Sequence, residues 1–222
     1  RHEQRTYHEL ITEPVLFTPE YNRVINHSEL PVVKDELSIT LKINLLSHAP
    51  PSSSSSWRTV FYKAIVDSSH TPALWLSSFN SMPAPRFTVN GVIDGGVNFY
   101  GYEFLLNRWY HIAYTLSDSE KRMNFYIDSK WIGSYNIQDV QNQSFIFNYG
   151  PLYIGKQPIV NEANGFNGHI SNFRYYNFRL SHDEVLMDYS GEDPTKSIDD
   201  KCPNRFFDGL IIGLFLGITV LA

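Results

Sequence analysis

Residues 167–185 read NGHISNFRYYNFRLSHDEV, and a switch inside this stretch decides the fold. Up to Leu180 the run is aromatic-rich and reads as a long strand, 167–180. Ser181, with Glu184 three positions on, then forms a capping box, in which each side chain satisfies the other residue's backbone N–H. One short helix therefore starts at Ser181. A long strand that hands over to a single short helix predicts an all-β domain closed by a helix.

Working outward, PLYIG (151–155) is a short strand ending on glycine, and RMNFYIDSKWIGSYNI (122–137) is a hairpin turning at Asp128-Ser129-Lys130. RWYHIAYTLS (108–117) alternates Trp109, His111, Ala113 and Thr115 against Tyr110, Ile112, Tyr114 and Leu116. In ELSITLKINLL (36–46), Leu37, Ile39, Leu41, Ile43 and Leu45 share one face. A period of two means a strand with one buried side. Further strands are expected at 59–66, 72–78, 85–90 and 96–100, and HAPPSSSSSW (48–57) reads as a loop. The spacing describes an antiparallel sandwich. The expected organisation is an N-terminal extension over 1–30, the sandwich over 31–190, an acidic linker over 191–205 and an apolar segment over 206–222.

Composition fits this reading. Of 222 residues, 42% are hydrophobic and 15% aromatic, with 14 Tyr and 15 Phe. The length suffices for a real core without disulfides. A net charge of −5 without a basic cluster argues against a nucleic-acid partner. The single cysteine, Cys202, cannot form an internal bridge, which points to a reducing compartment. Two glycosylation sequons, at Asn26 and Asn142, point to the extracellular or luminal side instead. A chain opening on Arg1 is explained by a removed signal peptide or equally by a trimmed start.

The order of these features resembles the concanavalin A-like, laminin-G-like jelly roll. That superfamily shows a W-x-H-I strand, a YIDGK hairpin, an LYIG strand and a closing F-x-G-x-I-S-x-F-R-Y-Y-N-x-x-L-S-x-x-E run. The matching positions are Trp109, His111 and Ile112; Tyr126 to Asp128 and Lys130; Leu152 to Gly155; and Phe166, Gly168, Ile170, Ser171, Phe173 to Asn177, Leu180, Ser181 and Glu184. The match covers about 108–187 and departs at Ser129, where the family has glycine, so the turn is expected to be longer or strained. The resemblance implies the fold but not one function, because lectins, glycosidases and receptor-binding modules share it.

Candidate sites are sparse. The E-x-D-x-x-E run of glucan-cleaving relatives is absent, and Asp183 and Glu184 fall on the short helix, so the chain is read as no enzyme. No cofactor is assigned. Calcium, held at a rim in laminin-G-like domains, has loop oxygens available at Asp67, Asp94, Asn161 and Asn164, which also read as solvated loop polars. Trp57, Trp75, Trp109 and Trp131 offer rings for a sugar. Trp109 and Trp131 are expected in the core, and Trp57, after a loop, is the best exposed candidate. His111 and His169 lie in strands and read as structural, and no zinc spacing or nucleophile elbow occurs.

The tail RFFDGLIIGLFLGITVLA (205–222) carries no charge from Gly209 onward. Fourteen helical residues span roughly 21 Å, against about 30 Å for a bilayer core, so the segment reads as the start of a transmembrane helix. Gly209, Gly213 and Gly217 form a stripe against which another helix can pack, implying an integral membrane protein partner. CPNRFFDGLIIGL is similar to the juxtamembrane end of accessory subunits of vacuolar-type proton pumps. The leading expectation is a non-catalytic, single-pass accessory subunit whose extracytoplasmic sandwich binds protein. The alternative is a membrane-tethered lectin.

Overall fold

The computed structural model describes residues 4–48, 56–65, 69–158 and 164–196. It is an antiparallel β-sandwich with one short helix, as expected. Among the described residues fourteen strands form two seven-stranded sheets. They are β1 (Tyr7–Ile11), β2 (Val15–Phe17), β3 (Asn22–Ile25), β4 (Glu36–Ser47), β5 (Trp57–Ala64), β6 (His70–Ser77), β7 (Pro83–Val89), β8 (Val92–Gly96), β9 (Trp109–Ser117), β10 (Arg122–Ile127), β11 (Lys130–Asn136), β12 (Leu152–Gly155), β13 (Asn164–Gly165) and β14 (Asn167–Tyr176). The first sheet runs β1-β14-β4-β9-β10-β11, with β2 also on β14. The second runs β3-β12-β5-β6-β7-β8, with β13 parallel to β5.

Residues 1–30, expected outside the sandwich, supply strands to both sheets. β1 and β2 share the edge of β14, at Phe173–Tyr176 and Gly168–Ile170 respectively, with Pro14 between them. Proline has no N–H to give a ladder, and this break hides the strands from a periodicity reading. The strand expected at 96–100 lies earlier, as β8, because a tight turn through Gly91 (φ +80°) pairs Val92 with Val89 at once.

The alternation read in the sequence sets the core. Leu37, Ile39, Leu41, Ile43 and Leu45 of β4 and Tyr110, Ile112, Tyr114 and Leu116 of β9 are all buried between the sheets. Phe61 of β5 meets Tyr114 and Phe173 edge-on, each with ring centroids 5.9 Å apart, and so locks the second sheet to the first. The Tyr114 hydroxyl crosses the core to donate to the Arg86 carbonyl at 2.9 Å. Gly168 is required by packing, since a Cβ there would lie 2.3 Å from the Asn44 carbonyl oxygen of β4.

The helix α1 (His182–Tyr189) starts at the expected capping box. Glu184 N–H donates to Ser181 Oγ at 3.2 Å, and Ser181 N–H to Glu184 Oε2 at 2.8 Å. It lies on the outer face of the first sheet, where Val185 packs with Ala113, Tyr126, Tyr176, Phe178 and Leu180. Asp188 pins it down, accepting from Tyr176 Oη (2.5 Å), Arg174 Nη1 (2.7 Å) and His111 Nε2 (2.8 Å). Burial alone would raise the Asp188 pKa, but these donors hold it down at about 2. His111 is therefore structural, as read from the sequence.

Among the described residues no helix is long and apolar enough to cross a membrane. The segment 206–222, with Gly209, Gly213 and Gly217, lies outside the described residues.

Candidate ligand cavity at the loop end

Strand directions bring the described connections 18–21, 78–82, 97–108 and 128–129 to one end of the sandwich, together with His48, Ser56, Lys156 to Pro158 and Phe166 at the ends of their strands. Loops on a rigid scaffold are where binding sites concentrate. A cavity of about 440 Å³ opens there, of a size usual for ligand pockets. Leu45, Leu76 and Phe166 supply apolar wall; Arg58, His48 and Ser81 supply polar groups.

Arg58 is the unusual member. It pairs across β6 with Leu76, a core residue, so its side chain shares the inward face of β5. It is only 4% exposed, and Nε, Nη1 and Nη2 all lack a hydrogen-bond partner. Burial lowers its pKa and Glu20 opposes that, but a guanidinium stays charged at neutral pH. Glu20 itself is ion-paired with Lys156. His48 Nδ1 lies 2.8 Å from Ser81 Oγ, and Asn167 Nδ2 donates to Ser47 Oγ at 2.8 Å. Ser81, whose hydroxyl meets His48, holds φ at +60°, a strained value for a residue other than glycine. None of the described residues lining the cavity is Asp or Glu.

Beside the cavity, the connections 78–82 and 97–108 are joined. Phe104 N–H donates to the Ser81 carbonyl at 3.3 Å, and Asn80 Nδ2 to Glu103 Oε1 at 3.3 Å. They present Phe79 (81% exposed), Tyr100 (74%), Tyr102 and Leu105 to solvent. These apolar surfaces stand at the same end as the cavity.

The tryptophans invert expectation. Trp109 and Trp131, expected in the core, are 42% and 51% exposed. The alternation in 108–117 holds, but the set containing Trp109 faces outward. His111, Ala113 and Thr115 of that set are nevertheless buried, whereas Trp109 sits at the strand's loop end, beside His169 at 6.4 Å. Trp131 donates its Nε1–H to Asn124 Oδ1 at 3.2 Å. Trp57, expected to be exposed, is half-buried, 5.8 Å from the Arg86 guanidinium. Trp75 is half-buried between Tyr62 and His70.

Of the calcium candidates, Asp94 is engaged by Arg86 Nε (3.2 Å) and His70 Nε2 (3.3 Å). Burial pushes its pKa up, but these partners win and the net shift is downward. Asn164 is in β13, while Asp67 and Asn161 lie outside the described residues. Among the described residues no group of three or more His, Cys, Asp or Glu is placed to hold a metal. The sequon residues Asn26 and Asn142 are both exposed, in connections at the end opposite the cavity.

Arg58 escaped the sequence reading because the strand was expected to start after it, at 59. A bulge around Val60 also shifts the alternation, so Arg58 falls in phase with Phe61 and Lys63. A lone arginine at the head of an apolar strand was the available signal.

No curated protein matches the chain. Among solved structures it is similar to the native heptameric SAP-like pentraxin of Limulus polyphemus (14% identity, TM-score 0.50, covering 81% of this chain and 76% of that one). It is also similar to a candidate carbohydrate-binding protein of Bacteroides ovatus (16%, 0.61, 84% and 49%). A third is the binding domain of Botulinum neurotoxin DC, solved with rat synaptotagmin II (13%, 0.50, 71% and 36%). The chain thus spans about half of the Bacteroides protein and about a third of the toxin chain. At these identities the likeness shows the fold alone. The laminin G model of the concanavalin A-like lectin/glucanases superfamily matches residues 43–186, from within β4 to α1. With the fold and the greater part of its length in agreement, the chain belongs to the concanavalin A-like lectin/glucanases superfamily.

Proposed function

We propose that the chain is a non-catalytic carbohydrate-binding module that takes the end of a glycan into the loop-end cavity. The observation that carries this reading is the cavity itself, concave and built from apolar walls with a few convergent polar groups. The exposed Phe79, Tyr100 and Tyr102 at the same end offer flat faces on which further sugar rings stack. Superfamily membership and the Bacteroides neighbour favour a glycan over a peptide. Hydrolysis needs two carboxylates flanking one bond, about 5–9 Å apart, and the described lining offers none. Glycans on Asn26 and Asn142 would leave the cavity mouth clear.

The test is a glycan array with the full chain in mild detergent, with and without Ca²⁺. A restricted set of glycans is expected in both conditions, lost in Ser81→Trp, which fills the cavity. Absence of any binding in either condition overturns the reading.

A second reading concerns placement. The glycine stripe Gly209, Gly213 and Gly217 supports a membrane-held module on the extracytoplasmic side, docked as an accessory subunit against another membrane helix. Gly213→Leu is expected to release the chain from a complex purified from native membranes. Unchanged co-purification removes the packing claim.

A further inference from the structure

We infer that the ligand is acidic: its sugar carries a carboxylate, received by the guanidinium of Arg58 inside the cavity. This rests on the carbohydrate-binding reading and adds a charge class to it. A buried polar group without a partner calls for an explanation. Here all three side-chain nitrogens of a residue 4% exposed are buried and unpartnered, and the residue is part of the lining of an open cavity. Water in the cavity could accept their hydrogen bonds, but it would leave the charge uncompensated.

Among the described residues Glu20 offsets that charge only in part, since burial still wins. Glu20 pairs with Lys156 and makes no hydrogen bond to Arg58. The position lies among Leu45, Leu76 and Phe166, where a leucine or methionine would pack without cost if packing were the only task. The planar fork of a guanidinium matches the two oxygens of a carboxylate by paired N–H···O bonds. His48 and Ser81 stand in the same cavity to orient the rest of the ring.

The test uses the full chain and matched probes: trigalacturonate with its methyl ester, and sialyllactose with lactose and sulfated lactose, by titration calorimetry. It adds thermal melting in sodium acetate against sodium chloride at equal ionic strength. The expected result is at least tenfold tighter binding of an acidic probe than of its neutral partner. Arg58→Met should abolish that preference while still melting cooperatively. Should that variant fail to fold, Arg58→Lys, which keeps the charge and loses the fork, should weaken the acidic probe at least tenfold. Acidic and neutral probes bound equally would leave the glycan reading standing and overturn the inference. Sulfated lactose bound in preference to every carboxylate also overturns it. Acetate raising the melting temperature of the wild type but not of Arg58→Met, with no glycan bound, keeps the anion subsite and overturns the carbohydrate reading instead. Glu162 is the one acid in the stretches 49–55 and 159–163, which in sequence follow the lining residue His48 and precede the lining residue Gly165. An acetate response present in Glu162→Gln and absent in the wild type would assign Arg58 to an internal pair and overturn the inference.

Discussion

Two buried polar clusters in this sandwich each contain an arginine, and they are finished to different degrees. Under α1, Arg174, His111 and Tyr176 all give hydrogen bonds to one carboxylate, Asp188, and both of its oxygens are used. At the loop end, Arg58 is buried and has no hydrogen-bond partner among the described residues. The first cluster joins helix to sheet, and it is scaffold. The second borders an open volume. Even the first cluster leaves one buried atom, His111 Nδ1, without a partner, but its charges are paired; whether a buried charge is paired, more than its mere presence, separates a structural network from a place prepared for a ligand.

The sharpest way to break this contrast is to remove Asp188. Asp188→Ala leaves Arg174 without its 2.7 Å partner and should cost about 3–5 kcal/mol, the usual penalty for breaking a buried pair. Denaturant unfolding of the full chain measures it. A loss below about 1 kcal/mol would mean that the network carries little of the helix docking.

Acid titrates the same cluster without mutation. The Asp188 carboxyl is held at about 2, below its ordinary 3.8. A depressed carboxylate stabilises the fold above its unfolded pKa and loses that contribution as pH falls through the folded one. Stability should therefore drop between about pH 4 and pH 2, by roughly 2 kcal/mol from this group. Asp188→Asn should flatten that part of the profile. An unchanged slope in the variant would assign the acid sensitivity to other carboxyls.

The two clusters were also unequally legible in the sequence. Around α1, the Ser181–Glu184 box marked the helix and the matched strand run marked β14, so the frame of the Asp188 cluster was readable. Its key contact was not, because His111 and Asp188 lie 77 positions apart and only the folded sheet brings them together. The core faces of β4 and β9 were readable because one side of each is apolar throughout. Trp109 and Trp131 were misplaced because the period of two assigns a side, not whether that side is covered. β1 to β3 were missed because edge strands of three to five residues, broken by Pro14, carry too few positions for a period to register. Arg58 was invisible because a single bulged residue reverses the face on which it falls.

Arg58→Met should move stability in the opposite direction from Asp188→Ala. It removes a buried charge that Glu20 offsets only in part and keeps the volume, so the variant should gain about 1 kcal/mol in the absence of ligand. A loss of similar size would show that the guanidinium is already neutralised inside the protein, and the two clusters would then be alike.

The smallest effect concerns strain rather than charge. Among the described residues six other than glycine have positive φ, and four of them, Ser81, Asn107, Asp128 and Ser129, lie in connections at the loop end. Asp128 and Ser129, at φ +49° and +63°, form a two-residue turn that pairs Ile127 with Lys130, so the departure from the family's glycine gives a strained turn and not a longer one. Asp128 tolerates its geometry because its Oδ1 accepts from the His111 N–H at 2.9 Å. Ser129 has no comparable side-chain bond among those described. Ser129→Gly should therefore stabilise by about 0.5–1 kcal/mol, since glycine adopts positive φ without a Cβ clash. It lies outside the cavity, so glycan binding should be unchanged. A stabilised variant with weakened binding would show that the strained turn is coupled to the cavity, and that the loop end is held in a costly conformation as a unit.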